Sequence, residues 1–185
     1  MPCVVGRSVA RKEGRRKLGG QARYVDDLSL PGLVHGITVR SAVPRGRLRE
    51  IRFGAGIRWD EFTVVTAADV PAENSVASIL ADQPFLVESE IRHAEEPVLL
   101  LAHSDRDLLE NARRAVELDV ERLPAVLSMD ASGDVIQSCQ VEKGDVDAAW
   151  EQAHLIVEGE YRTGAQEHLY IEPNGVVAVA SPEKG

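Results

Sequence analysis

The sequence predicts an α/β fold of the α+β kind, with strands and short helices sharing a core. Three consecutive segments carry this expectation. Five apolar residues in succession, Val98 to Ala102, have the composition of a strand covered on both faces and therefore central in its sheet. The clearest helical period in the chain follows, with Leu108, Leu109, Ala112, Ala115 and Val116 falling on one side. Period-two alternation then sets Leu118, Val120 and Arg122 against Asp119, Glu121 and Leu123, and stops at Pro124. A strand, a helix and a strand within about thirty residues have the size of a strand-helix-strand crossover.

The other elements can be taken in order. Residues 1–31 are rich in glycine and basic side chains, with Gly19-Gly20 and Pro31-Gly32 as turn signals, and read as an irregular arm. Leu33 to Arg40 places Leu33, His35, Ile37 and Val39 on one strand face. Leu48 to Phe53 alternates imperfectly but fits a strand, as does the β-branched run Phe62 to Thr66, which leads into a short helical turn at Ala67 to Pro71. Glu73 to Glu90 has no clean period and reads mostly as loop.

Ser104 and Asp107 stand at capping-box spacing before the helix, and Glu110 and Arg114 lie one turn apart on its wet side. Asp130, Ser132 and Gly133 mark a boundary, beyond which Asp145 is placed to cap a short helix through Trp150 and Ala153. His154 to Thr163 and Gly175 to Ala180 read as further strands.

Length and composition bound the function. The chain has 185 residues, long enough for one core with the beginning of a second. Its 44% hydrophobic and 28% charged content is that of a globular protein. A formal charge of −9 disfavours a nucleic acid partner, since most of the surface repels phosphate. The exception is the basic run of Arg7, Arg11, Lys12, Arg15, Arg16, Lys17 and Arg23, offset only by Glu13, which reads as a solvated face or a docking segment. Cys3 and Cys139 form no C-x-x-C pair, so reduced thiols in a cytoplasmic protein are expected. No apolar run is long enough to cross a bilayer, and no export or membrane signal is visible.

Self-sufficient catalytic motifs are missing from the sequence: there is no nucleophile elbow, Walker loop, dinucleotide fingerprint or H-E-x-x-H. His35, His93, His103, His154 and His168 are dispersed, which argues against a metal site. Asp26-Asp27 and Glu95-Glu96 are neighbours on the chain, so on a strand their carboxylates point to opposite faces and read as solvated charges. The segment Gln166-Glu167-His168-Leu169-Tyr170-Ile171-Glu172 sets apolar residues among polar ones, as would a strand lining a polar cavity or an edge strand.

An ordered set of motifs is similar to a known family. It begins with Val5-Gly6-Arg7-Ser8-Val9 and Gly20-x-Ala22-Arg23-Tyr24-Val25-Asp26-Asp27-x-x-Leu30-Pro31-Gly32-x-x-His35. Val39-Arg40-Ser41, Val65-Thr66-Ala67-Ala68-Asp69-Val70-Pro71 and Glu96-Pro97-Val98 follow, then Val116-Glu117-Leu118-Asp119-Val120-Glu121-x-Leu123-Pro124-Ala125-Val126. It closes with Gly144-Asp145-Val146-Asp147-Ala148-Ala149, Glu158-Gly159-Glu160-Tyr161-Arg162-Thr163 and Gln166-Glu167-His168-x-Tyr170-x-Glu172-Pro173. Each piece is weak alone, but their order nearly end to end is specific. The chain resembles the molybdenum-binding subunits of xanthine dehydrogenase, aldehyde oxidase, carbon monoxide dehydrogenase and related hydroxylases.

The resemblance implies an N-terminal arm over residues 1–19 and an α/β hammerhead domain with a mixed sheet and short helices over 20–127. It implies the N-terminal part of a molybdenum-cofactor-binding domain, a partial second α/β unit, over 135–185. The implied cofactor is molybdopterin, in bacteria commonly its cytosine dinucleotide form. The implied reaction inserts water-derived oxygen into a carbon-hydrogen bond of an aldehyde or N-heterocycle.

The implied partners are the remaining molybdenum-binding polypeptide and iron-sulfur and FAD subunits or domains. Gln166 is the one implied cofactor-binding residue, its neutral amide N–H suited to an oxo ligand without adding charge. No catalytic residue and no metal ligand is expected within the chain, and it is expected to be inactive alone. The alternatives are a truncated, non-catalytic domain or a free-standing interaction module docking through the basic arm. One departure stands out: Ala94-Glu95 occupies the turn where the family usually has glycine, which removes easy access to positive φ and is expected to reshape that turn.

Overall fold

The computed structural model describes residues 4–77, 80–135, 137–164, 170–171 and 173–181. These fall in two compact units, Pro31–Ser138 and a second made of Met1–Leu30 with Cys139–Gly185. In chain order the regular elements are α1 (Gly14–Leu18), β1 (His35–Arg40), β2 (Gly46–Phe53), β3 (Thr63–Val65), β4 (Val76–Ala77) and β5 (Ala81–Gln83). They continue with β6 (Glu90–Ile91), β7 (Pro97–His103), α2 (Arg106–Ala115), β8 (Val116–Arg122) and α3 (Val146–Gln152).

The Pro31–Ser138 unit is an α+β fold of small sheets. One sheet has the order β1-β7-β3, a second β6-β2-β8, and β4 and β5 form a hairpin. Every strand pairing among the described residues is antiparallel. The strand-helix-strand segment is present, but β7 and β8 lie in different sheets, so α2 links two sheets and does not connect parallel neighbours. Each strand instead pairs antiparallel with partners distant in sequence, β7 with β1 and β3, and β8 with β2.

β7 is central, as its apolar run predicts, because Val98, Leu99 and Leu101 lose all contact with solvent. Coverage of both faces is incomplete, however: Leu100 stays 39% exposed. A bulge opposite Val39 and Arg40 leaves Val98 without a ladder partner. Consecutive residues thereby serve two clusters, Leu99 packing with Val39, Leu101, Leu109 and Ala112, and Val98 with Val43, Val87 and Ile91. Burial of each such side chain contributes about 1.5–3 kcal/mol.

The imperfect alternation of Leu48 to Phe53 has the same cause. Arg49 is the extra residue between the pairs Leu48–Val120 and Glu50–Asp119. It shifts the period by one and returns Ile51 to the side of the core. On the other face Arg49 pairs with Glu121, and Arg52 with Asp119.

α2 packs against β1, β7 and β8 through Leu109 and Ala112. Its cap is Asp105, not Ser104: the Asp105 carboxylate accepts from the backbone N–H of Asp107 at 2.8 Å and of Leu108 at 3.0 Å. Leu108 turns outward and Val116 opens β8, so neither belongs to the buried helix face. Glu110 pairs with Arg114, as its spacing predicts, and with Arg113. The aperiodic stretch before β6 contains short strands and is tied down locally, Asn74 donating to the Leu86 carbonyl and accepting from its N–H.

The second unit is built differently. α1 interrupts the expected irregular arm. α3 forms where Asp145 predicts it, with that carboxylate accepting from Ala148 N–H at 2.9 Å. His154 to Thr163 and Gly175 to Ala180 form no ladder among the described residues, contrary to their alternating pattern. Val157 is 81% exposed and Val176 88%. A strand needs a paired edge and a layer over its apolar face, and the described residues supply neither. No described residue of this unit is buried.

Candidate functional site

In the second unit two motif segments about 150 residues apart converge on one groove. Tyr24-Val25-Asp26-Asp27 forms a tight turn because Asp27 accepts the Tyr24 N–H at 2.9 Å and Leu28 N–H closes onto Val25. Tyr170 and the Pro173-Asn174-Gly175 stretch complete the groove, whose volume is about 750 Å³. Gly175 permits the approach: a Cβ there would sit 3.3 Å from Val25 Cγ1. The Lys17 ammonium lies 5.7 Å from the Tyr24 ring centroid, a cation-π distance.

Chemically the groove offers two aromatic faces, a carboxylate and an amide, which suit binding of a flat polar group. Among the described residues it offers no nucleophile with an adjacent base. Tyr24 and Tyr170 belong to matched motifs, yet sequence reasoning gave them no role; their aromatic character within those motifs was the available signal.

Gln166 lies outside the described residues, as do Glu167, His168 and Glu172. The remaining titratable candidates are structural. Glu96 is 2% exposed and accepts the Arg92 N–H at 2.6 Å, while Glu95 faces solvent. Ser41 N–H donates to the Glu96 carbonyl at 2.9 Å, and the Arg40 guanidinium to the Glu95 carbonyl at 2.8 Å. Two family motifs, 39–41 and 96–98, are therefore halves of one joint.

Glu95 holds φ at 64° without being glycine, so this turn reaches positive φ despite the side chain. Its N–H, bonded to the Ser41 carbonyl at 2.8 Å, helps to hold it there.

His103 stacks on Phe62 at 4.6 Å and accepts the Asp105 N–H at 2.9 Å, so it supports the helix cap. No group of three or more His, Cys, Asp or Glu among the described residues could hold a metal ion. No helix among them is long and apolar enough to cross a membrane. A bound pterin needs most of its surface enclosed, with a few placed polar groups to orient it. The Tyr24–Gly175 groove, with Tyr170 72% exposed, does not provide that enclosure from the described residues alone.

Two family models define the class, one for a hammerhead domain and one for a cofactor-binding domain. Residues 19–124 match the family described as aldehyde oxidase and xanthine dehydrogenase, a/b hammerhead domain. Residues 128–185 match the molybdopterin cofactor-binding domain. The chain belongs to the aldehyde oxidase and xanthine dehydrogenase family of molybdopterin oxidoreductases.

Among its relatives, the nicotinate dehydrogenase large molybdopterin subunit of Eubacterium barkeri is 27% identical over 95% of this chain and 44% of its own length. Xanthine dehydrogenase 2 of Arabidopsis thaliana is 29% identical over 92% of this chain and 13% of its own. The structure of quinoline 2-oxidoreductase from Pseudomonas putida 86 superposes with a TM-score of 0.59 at 30% identity, covering 71% of this chain and 18% of that one. The chain thus spans less than half the length of each.

Proposed function

We propose that this chain supplies the hammerhead domain and the first segment of the cofactor domain of a molybdenum hydroxylase large subunit. Its turnover then requires the remaining cofactor-domain polypeptide. The observation that carries this reading is the contrast between the two units. Pro31–Ser138 has its own core, whereas the 139–181 segment exposes Leu155, Val157, Tyr161, Ile171, Val176 and Val179 and buries no described residue. Exposed apolar side chains in such number call for another layer.

In this reading the complete enzyme oxidises an aldehyde or N-heterocycle with water-derived oxygen. It carries molybdopterin in the cytosine dinucleotide form, works in the cytoplasm and passes electrons to iron-sulfur and FAD subunits or domains. The cofactor supplies the redox chemistry. Gln166 contributes a neutral amide to its pocket, and the groove of Tyr24 and Tyr170 forms part of the approach to it.

Co-expression with a polypeptide carrying the rest of the cofactor domain tests this. The two should co-elute, solvent protection should appear over residues 154–180, and molybdenum and pterin should be retained only by the pair. An isolated chain that holds stoichiometric molybdenum and hydroxylates an organic compound would overturn it, as would a chain that stays monomeric beside its complement. In the reconstituted enzyme Gln166→Ala should lower turnover at unchanged melting temperature; loss of solubility without a separate catalytic effect would assign Gln166 to structure.

A second reading, an interaction module, draws on the exposed basic helix α1 and the small recess lined by Arg16, Lys17, Arg23 and Tyr24 with Glu13 and Ala22. Binding to an acidic partner would then weaken with salt and vanish on deleting residues 1–19.

A further inference from the structure

The seam between the two sheets of the Pro31–Ser138 unit is open at one end. Where β1 ends and the core side of β8 passes, the seam leaves a groove of about 410 Å³, within the size range of small-molecule sites. Its floor is aliphatic, formed by Val39, Val43, Val116, Leu118 and Val120, which come from both apolar clusters. Three of these, Val116, Leu118 and Val120, remain only partly buried. An uncovered apolar floor is favourable to any ligand body that displaces water from it.

The groove's electrostatics run against those of the whole chain. In a protein of net charge −9 the groove is lined by Arg40, Arg113 and Arg122 and by no carboxylate. The acids of β8 point the other way, Asp119 and Glu121 pairing with Arg52 and Arg49. Arg113 is neutralised by Glu110. Arg40 donates to the Glu95 backbone carbonyl and makes no ion pair among the described residues. Arg122 makes no ion pair among the described residues.

We propose that this groove binds a small monocarboxylic acid with an apolar body. The body lies on the Val116–Leu118–Val120 floor, and the carboxylate is held by Arg122 with Arg40 alongside. Guanidinium groups match carboxylates in geometry, and the aliphatic floor rejects small hydrated anions that cannot dry it. The site lies wholly within the hammerhead unit, which carries its own core, and is independent of the proposed hydroxylase role.

The test uses the full 185-residue chain and three probes with the same body, octanoate, octanol and octylammonium, read by calorimetry and by backbone amide shifts. Octanoate should bind at least about tenfold tighter than the other two, weaken as salt rises, and shift the amides of residues 116–122. Arg122→Gln and Arg122→Glu should progressively remove that preference, while octanol affinity and the melting midpoint stay as in the parent. Equal affinities for the three head groups, or shifts confined to residues 139–181, would overturn the proposal. So would an acidic peptide alternating Glu and Val that binds more tightly than octanoate, because the groove would then be a seat for a protein segment.

Discussion

The turn at Glu95 offers the sharpest check on how this fold is held together. Glu95 is the one non-glycine residue with positive φ among the described residues, at 64°. An L-residue is disfavoured in that region by about 1–2 kcal/mol, because Cβ crowds the following carbonyl. The Glu95 N–H bond to Ser41 and the Arg40 bond to the Glu95 carbonyl are made by its backbone, so Glu95→Gly keeps both contacts while removing Cβ. Glycine's greater freedom in the unfolded chain takes back about 0.4–1 kcal/mol.

The net expectation is a gain of about 0.5–1 kcal/mol, or a melting temperature higher by about 2 to 6 °C for a unit of this size. Glu95→Val, β-branched at the same φ, should lose at least about 1 kcal/mol. Urea unfolding followed by tryptophan fluorescence is a suitable assay. Trp59 lies half-buried in the same unit, while Trp150 is 53% exposed in the other. A Glu95→Gly midpoint below the parent's, at unchanged slope, would refute the claim that this backbone is strained and held by its bonds to 40–41.

Other expectations are as direct. Leu109→Ala should cost about 2–5 kcal/mol in the same assay, since Leu109 is 4% exposed and joins α2 to the core beneath β1 and β7. Gly46→Ala should cost about 1–3 kcal/mol, because its Cβ would lie 2.5 Å from Val120 Cγ1 and 2.8 Å from the Glu121 carbonyl oxygen; full parental stability would mean that β2 and β8 are less closely apposed. Acid should weaken the hammerhead unit. The hydrogen bond from Arg113 holds Glu110 at about 2, below its ordinary 4.5, and backbone N–H groups of Leu108 and Asp107 hold Asp105 low. A carboxylate depressed on folding contributes its stability in full above the unfolded value and loses it as pH falls through the folded one. The urea midpoint should therefore drop between about pH 4.5 and pH 2, modestly because Asp105 is exposed and Glu110 only partly buried, and Glu110→Gln should flatten part of that drop. A midpoint independent of pH across this window contradicts the pairing.

Much of the hammerhead unit was legible from the residues alone. The five-residue apolar run placed β7 at the centre of its sheet, and helical spacing behind a candidate cap, Ser104 for α2 and Asp145 for α3 in the other unit, located both helices. Those signals are local: they depend on which side chains recur at the period of a helix or strand. The cap itself shifted by one residue, because Ser104 and Asp105 both offer a side-chain oxygen and only the backbone path chooses between them. Family membership was also legible, since an ordered series of short motifs survives where no single motif is decisive.

Pairing was decided by the tertiary structure. Nothing in β7 or β8 states that they join different sheets, because ladder partners are chosen by which edges meet in space. The bulges at Val98 and Arg49 left only a broken alternation in the sequence, and the partner strand determines where such a break becomes a bulge. His154–Thr163 and Gly175–Ala180 show the converse. Their alternation records a face suited to burial, but a strand exists only when a neighbour completes its hydrogen bonds and a layer covers that face. The residues by themselves thus determined the family, the local elements and the apolar faces. The three-dimensional arrangement alone decided which faces are covered, which arginines surround an open seam, and why Glu95 can stand where glycine is expected.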